Sequence, residues 1–141
     1  MAAMILASMH FCKLMVDYEE NRRRTSMIKS ISLAYRKPGM TRKEYNEYWE
    51  KKHGPLAARM FPGLRKYVQN HFVEIPGREY EGDGIVEMWW DDVESYINSM
   101  KFLSTPEGRP LFLDGAKFAE MKGGEPWVVE EHVIKDEITK K

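Results

Sequence analysis

One cysteine, Cys12, stands in a chain of 141 residues, so no internal disulfide can form. A reducing, cytoplasmic compartment is therefore expected. No apolar run reaches the roughly 18 residues that a membrane-spanning helix needs, and no membrane partner is expected. Charge of one sign is missing too. Lys+Arg 22 against Asp+Glu 22 leaves no net charge, whereas a phosphate-binding surface shows as a basic excess, so nucleic acid is not an expected partner. The sequence has no glycine-rich phosphate loop, no GxSxG, no DxD and no CxxC, which leaves a nucleotide cofactor or a nucleophilic serine without support. His53, His71 and His132 show no HxH or HxxxH spacing, and there is no second cysteine. Neither a metal nor a haem is expected, and no cofactor is assigned.

Aromatic residues, by contrast, make up 12% of the chain, enough for a large core or a ring-lined pocket. Residues 1–26 begin apolar (MAAMILASMHFC) and turn basic (NRRRTS). They read as an extension outside the core domain, either a loose helix or a stretch preceding the true start at Met27. No cationic segment precedes the apolar part, so a secretory signal is not expected.

From Met27 the pattern is regular. MIKSISLAY alternates with period two and reads as a strand, with Ile31, Leu33 and Tyr35 on one face and Ser30, Ser32 and Ala34 on the other. Thr41 followed by Glu44 is a capping box, and Tyr45, Trp49, His53, Leu56 and Met60 recur at helical spacing. Pro55 disfavours α geometry at Gly54, so this helix is expected to end or kink at about His53. LRKYVQNHFVEI reads as a strand with Tyr67, Gln69, His71 and Val73 together, and GIVEMWW as a third. DDVESYINSM opens with Asp91 as cap and Glu94 three later. Thr105 is expected to cap a further helix with Pro106 in its first turn. GGEPWVVEEHVI reads as the last strand, and residues 135–141 form a polar tail.

The order β-α-β-β-α-(α)-β over residues 27–134 is the split-βαβ arrangement, an α+β fold with a four-stranded antiparallel sheet and helices on one face. The other face carries Ile31, Leu33, Phe72 and Trp89, too apolar to leave wet. A second copy of the sheet is the simplest cover, so a homodimer is expected.

AYRKPGMTRKEYNEYWEKKHGPL resembles the EthD domain signature, in which a strand and turn lead to a helix ending in Tyr-Trp, a short spacer and His-x-Pro-Leu. FPGLRKYVQN, DGIVEMWWDDVESY and the Lys-Phe of GAKFAEM agree with it. The resemblance implies a ferredoxin-like subunit pairing sheet to sheet into a dimeric α+β barrel. Relatives in that superfamily include polyketide cyclases, small monooxygenases and some haem-dependent enzymes. It also implies a ligand between sheet and helices. On this chain that layer receives Ser30, Ser32 and Ala34, then Tyr67, Gln69 and His71, then Val86 and Met88.

Two histidines stand out. At a helix C-terminus the backbone dipoles favour an imidazolium at His53, and an apolar surround opposes it, which suits an acid/base catalyst. His71 lies mid-strand in a polar row that would be costly in a dry core and fits a cavity wall. Ser30 and Ser32 leave room beside them, while Trp49, Trp90 and Met88 fit the core better than a pocket wall. Glu87 points away from Met88, toward the expected partner subunit, and reads as an interfacial hydrogen-bonding group with Lys29 or another cation as its mate. The resulting expectation is a cofactor-independent lyase or cyclase for a small aromatic or polyketide-like carbonyl compound. His53 would move the proton, His71 and Tyr67 would hold the carbonyl, and the aromatic rings would stack on the substrate. The alternatives are a non-catalytic dimeric binding protein for a hydrophobic intermediate, and a cofactor-free monooxygenase.

Overall fold

The computed structural model describes residues 13–17 and 27–138. Of the expected extension over residues 1–26, only 13–17 are described, as a solvent-exposed helical stretch; the remainder, with 139–141, lies outside the described residues. The elements that follow are β1 (Ile28–Ala34), α1 (Arg42–Tyr48), a π turn (Trp49–His53), α2 (Gly54–Met60), β2 (Lys66–His71), β3 (Gly84–Trp90), α3 (Val93–Phe102), α4 (Arg109–Phe118) and β4 (Trp127–Glu130). The strands pair antiparallel in one sheet of order β2-β3-β1-β4. This is the split-βαβ, ferredoxin-like architecture.

The capping box forms as the spacing predicts. Glu44 N–H donates to Thr41 Oγ1 at 3.2 Å, and Thr41 N–H donates to Glu44 Oε2 at 2.8 Å. Register then fixes which residues share a face. Ser30 pairs with Met88, which pairs with Tyr67; Ser32 with Val86 and Gln69; Ala34 with Gly84 and His71. That face packs against the helices through two buried clusters. One holds Ile28, Met88 and Trp90, with Tyr96 and Met100 against them. The other holds Tyr45, Trp49 and Phe118, and Val86 touches both. Gly84 is needed there: a Cβ at this position would lie 2.5 Å from the Asn70 carbonyl and 2.9 Å from the Trp49 ring.

Two local expectations are corrected, and a third is decided between its alternatives. Of an end or a kink at about His53, the helix does not end: it changes form over Trp49–His53, Gly54 keeps right-handed helical angles and the chain runs on to Met60. An α-helical Pro55 would press its ring on the carbonyl four residues back. The widened turn at Trp49–His53, closed by Gly54 N–H on the Trp49 carbonyl, immediately precedes it. The cap of α3 is Asp92, accepting from Ser95 N–H at 2.7 Å, rather than Asp91. Thr105 closes a turn instead of opening a helix: its Oγ1 accepts from Gly108 N–H at 3.1 Å, and α4 begins only at Arg109.

The opposite face of the sheet is not purely apolar. Lys29 Nζ meets Glu87 and Glu131, each at 2.6 Å, and Asn70 Nδ2–H donates to Glu87 Oε2 at 2.8 Å. Burial pulls the Lys29 ammonium down, but the two carboxylates outweigh it and raise its pKa above the ordinary value. Lys29 and Lys66 both lie over the Trp89 ring, which is only 7% exposed. Trp89 is therefore covered within its own chain, while Ile31, Leu33, Val68 and Ile85 stay half-buried and Trp127 is 58% exposed.

Candidate active site

The first group of side chains stands where β2 faces the π turn. Gln69 Nε2–H donates to the Trp49 carbonyl at 2.9 Å and to Tyr67 Oη at 3.1 Å. Trp49 Nε1–H also donates to Tyr67 Oη, at 2.8 Å. Gly54 permits the approach of Gln69, since a Cβ there would sit 2.5 Å from Nε2. His71 Nε2 lies 3.0 Å from Gln69 Oε1, and its ring stacks on Trp49 at 4.7 Å and 5°.

These contacts fix proton positions. A backbone carbonyl only accepts, so the Gln69 amide nitrogen faces Trp49 and its oxygen faces His71. His71 therefore donates from Nε2–H and keeps its lone pair on Nδ1. Burial lowers the His71 pKa, with Glu50 opposing weakly, and holds the ring neutral. Tyr67 Oη accepts two hydrogens and keeps its own, which has no acceptor among the described residues. Burial raises the Tyr67 pKa, against bonds from Gln69 and Trp49, so the hydroxyl stays protonated.

The second group lies where the π turn meets α4. His53 Nδ1 is 2.9 Å from Asp114 Oδ2, and Tyr48 Oη–H donates to Asp114 Oδ1 at 2.8 Å. Lys117 Nζ stands 3.5 Å from the same Oδ1. Burial pushes the Asp114 carboxyl up, but the bonds from His53 and Tyr48 outweigh it and hold it below the usual carboxylate range. The His53 ring rests on Phe118 at 4.9 Å. His53 is thus inside a continuing helix with no cap bond to backbone, and the helix-end dipole argument does not apply to it.

Chain positions 53 and 71 accordingly belong to separate hydrogen-bond groups, joined by the ring contacts of Phe118, Tyr45 and Trp49. Of the other expected site residues, Ser30 (5% exposed) and Met88 (9%) are buried, and Trp49 (2%) fills the layer between sheet and helices. Ser32 and Val86 are half-buried. A groove of about 950 Å³ runs beside α3 and α4, lined by Ile97, Phe112, Leu113 and Met121 among others. Another of about 600 Å³ includes Arg42, Glu74 and Tyr80. Neither is lined by His53 or His71. Among the described residues, no group of three or more His, Cys, Asp or Glu could hold a metal ion, and no helix is long and apolar enough to cross a membrane. Asp114 and Tyr48 were missed as site residues from sequence; the hints were Tyr48 as the Tyr of the Tyr-Trp signature and Asp114 three residues before the Lys-Phe of the resemblance.

The EthD domain model matches residues 37–122, more than half of the chain. The protein belongs to the EthD family. It is similar to an EthD family protein of Bacillus halodurans at 30% identity and TM-score 0.56, over 75% of this chain and 99% of the other. A dimeric protein of unknown function and ferredoxin-like fold from Bacteroides fragilis shares 17% identity, with TM-score 0.50 over 74% and 96%. SnoaB, a cofactor-independent oxygenase from Streptomyces nogalater, shares 11% identity, with TM-score 0.51 over 79% and 99%. The last two similarities show the fold alone. No curated protein matches this EthD sequence.

Proposed function

We propose that this EthD protein is a cofactor-independent lyase or cyclase for a small aromatic or polyketide-like carbonyl compound. The reaction class is decarboxylation, dehydration or aldol-type cyclisation by histidine acid/base chemistry. The observation that carries the reading is Tyr67: its oxygen is pinned by the Trp49 and Gln69 hydrogens, and its own hydrogen is left without an acceptor among the described residues. A fixed neutral donor of this kind suits a carbonyl oxygen that gains charge as a proton leaves the neighbouring carbon. In this reading His71 supports that donor through Gln69, and His53 moves the proton. Ser30, Ser32, Val86 and Met88 shape the layer that Trp49 fills.

Replacing Tyr67 by Phe tests this directly. Turnover of a carbonyl substrate should fall by roughly 10²–10³-fold, the cost of losing one oxyanion donor, with folding retained. An unchanged rate in Tyr67→Phe refutes the assignment. The competing monooxygenase reading, supported by the shared fold of SnoaB, predicts oxygen consumption during turnover. The lyase reading predicts none.

The active unit in this proposal is a cytoplasmic homodimer joined through the open sheet face. Exposed Trp127 and the half-buried Ile31, Leu33 and Val68 support it, as does the dimeric neighbour of the same fold. Sedimentation velocity should return twice the 16.6 kDa chain mass. A monomer at all concentrations would remove the dimer from the proposal.

A further inference from the structure

We infer that Asp114 is the positioning residue of His53, locking its imidazole in the Nδ1–H tautomer so that Nε2 is the nitrogen that exchanges a proton with substrate. The inference rests on the proposed role of His53 and adds the group that directs it.

Asp114 lies 61 positions along the chain from His53 and reaches it from another helix, with Oδ2 at 2.9 Å from Nδ1. An ionised carboxylate only accepts, so a neutral His53 must carry its hydrogen on Nδ1 to make this bond. Free neutral imidazole has no such constraint. The other oxygen of Asp114 is held by the Tyr48 hydroxyl at 2.8 Å and faced by Lys117 at 3.5 Å. The Tyr48 donor on that oxygen leaves the second oxygen aimed at the ring. Phe118 supports the ring from α4, the same helix as Asp114. His53 Nε2 has no partner among the described residues, so it is the nitrogen available to a ligand. The side chains involved are only 13–16% exposed at the contact, and in such a setting a carboxylate sets imidazole orientation and stabilises the imidazolium formed when the ring accepts a proton.

The test needs no substrate. Long-range nitrogen-15 NMR of the imidazole rings, at a pH where His53 is neutral, should give the Nδ1–H tautomer in the wild-type protein. Asp114→Asn keeps size and shape and should fold. The Tyr48 hydroxyl would retain the Asn oxygen, which turns the amide N–H groups toward His53 Nδ1. The expected result is inversion to the Nε2–H tautomer. Wild-type Nε2–H, or an unaltered tautomer in Asp114→Asn, overturns the inference. A pair of spectra that inverts as expected, together with a Tyr67→Phe protein of full activity, would instead sink the carbonyl-site reading and leave Asp114 as the partner of His53.

Discussion

The two histidines of the candidate site have opposite kinds of neighbour. His53 faces a carboxylate that is itself held by a tyrosine and a lysine. His71 faces a neutral amide and lies flat on an indole. A carboxylate acceptor decides which nitrogen of its imidazole carries the hydrogen, while burial against an indole lowers the His71 pKa and favours the neutral ring. The same residue type is thereby suited to two tasks: moving a proton at position 53, and passing a fixed hydrogen-bond direction to Gln69 and Tyr67 at position 71.

Trp49 offers the strongest way to break this contrast. Trp49→Ala removes the ring under His71, the Nε1–H on Tyr67 and much of a buried aromatic cluster. It should destabilise the protein by about 3–5 kcal/mol, the usual cost of a large buried aromatic, measured by denaturant unfolding. The Asp114–His53 tautomer should survive in the folded fraction. Its loss would show that the two groups are one network rather than two.

A smaller effect should appear with pH. Burial lowers the folded His71 pKa below 6.5, so the unfolded chain takes up this proton first as pH falls. Stability from this group is then fully present above about 6.5 and is lost as pH drops through the folded pKa. His71→Phe keeps a flat ring for the stack and removes the titration. Melting temperatures of that variant should fall less than those of the wild type below pH 6.5, and parallel curves would deny His71 its neutral burial.

Much of the fold was legible because its cues are local. Thr41 and Glu44 are three residues apart, and alternation alone put Tyr67, Gln69 and His71 on one face of β2. Where local cues were doubled or incomplete, the reading slipped. Asp91 and Asp92 are adjacent and both have polar residues three later, so only the backbone angles at the end of β3 decide that Asp92 is the cap. Pro55 announces a disturbance but not its form, because whether a helix stops or widens depends on what packs against it. The widened turn instead presents the Trp49 carbonyl to Gln69.

Sequence by itself determined the order of elements, the sheet faces and the family, because capping, alternation and the His-x-Pro-Leu signature act within a few residues of chain. Tertiary structure alone decided what each imidazole touches. Asp114 comes from a helix far along the chain, and Gln69 takes its direction from a carbonyl exposed by a helix turn that only packing could widen. Hydrogen bonds fix tautomers over about 3 Å, and no spacing in the sequence specifies distances of that kind between separate elements.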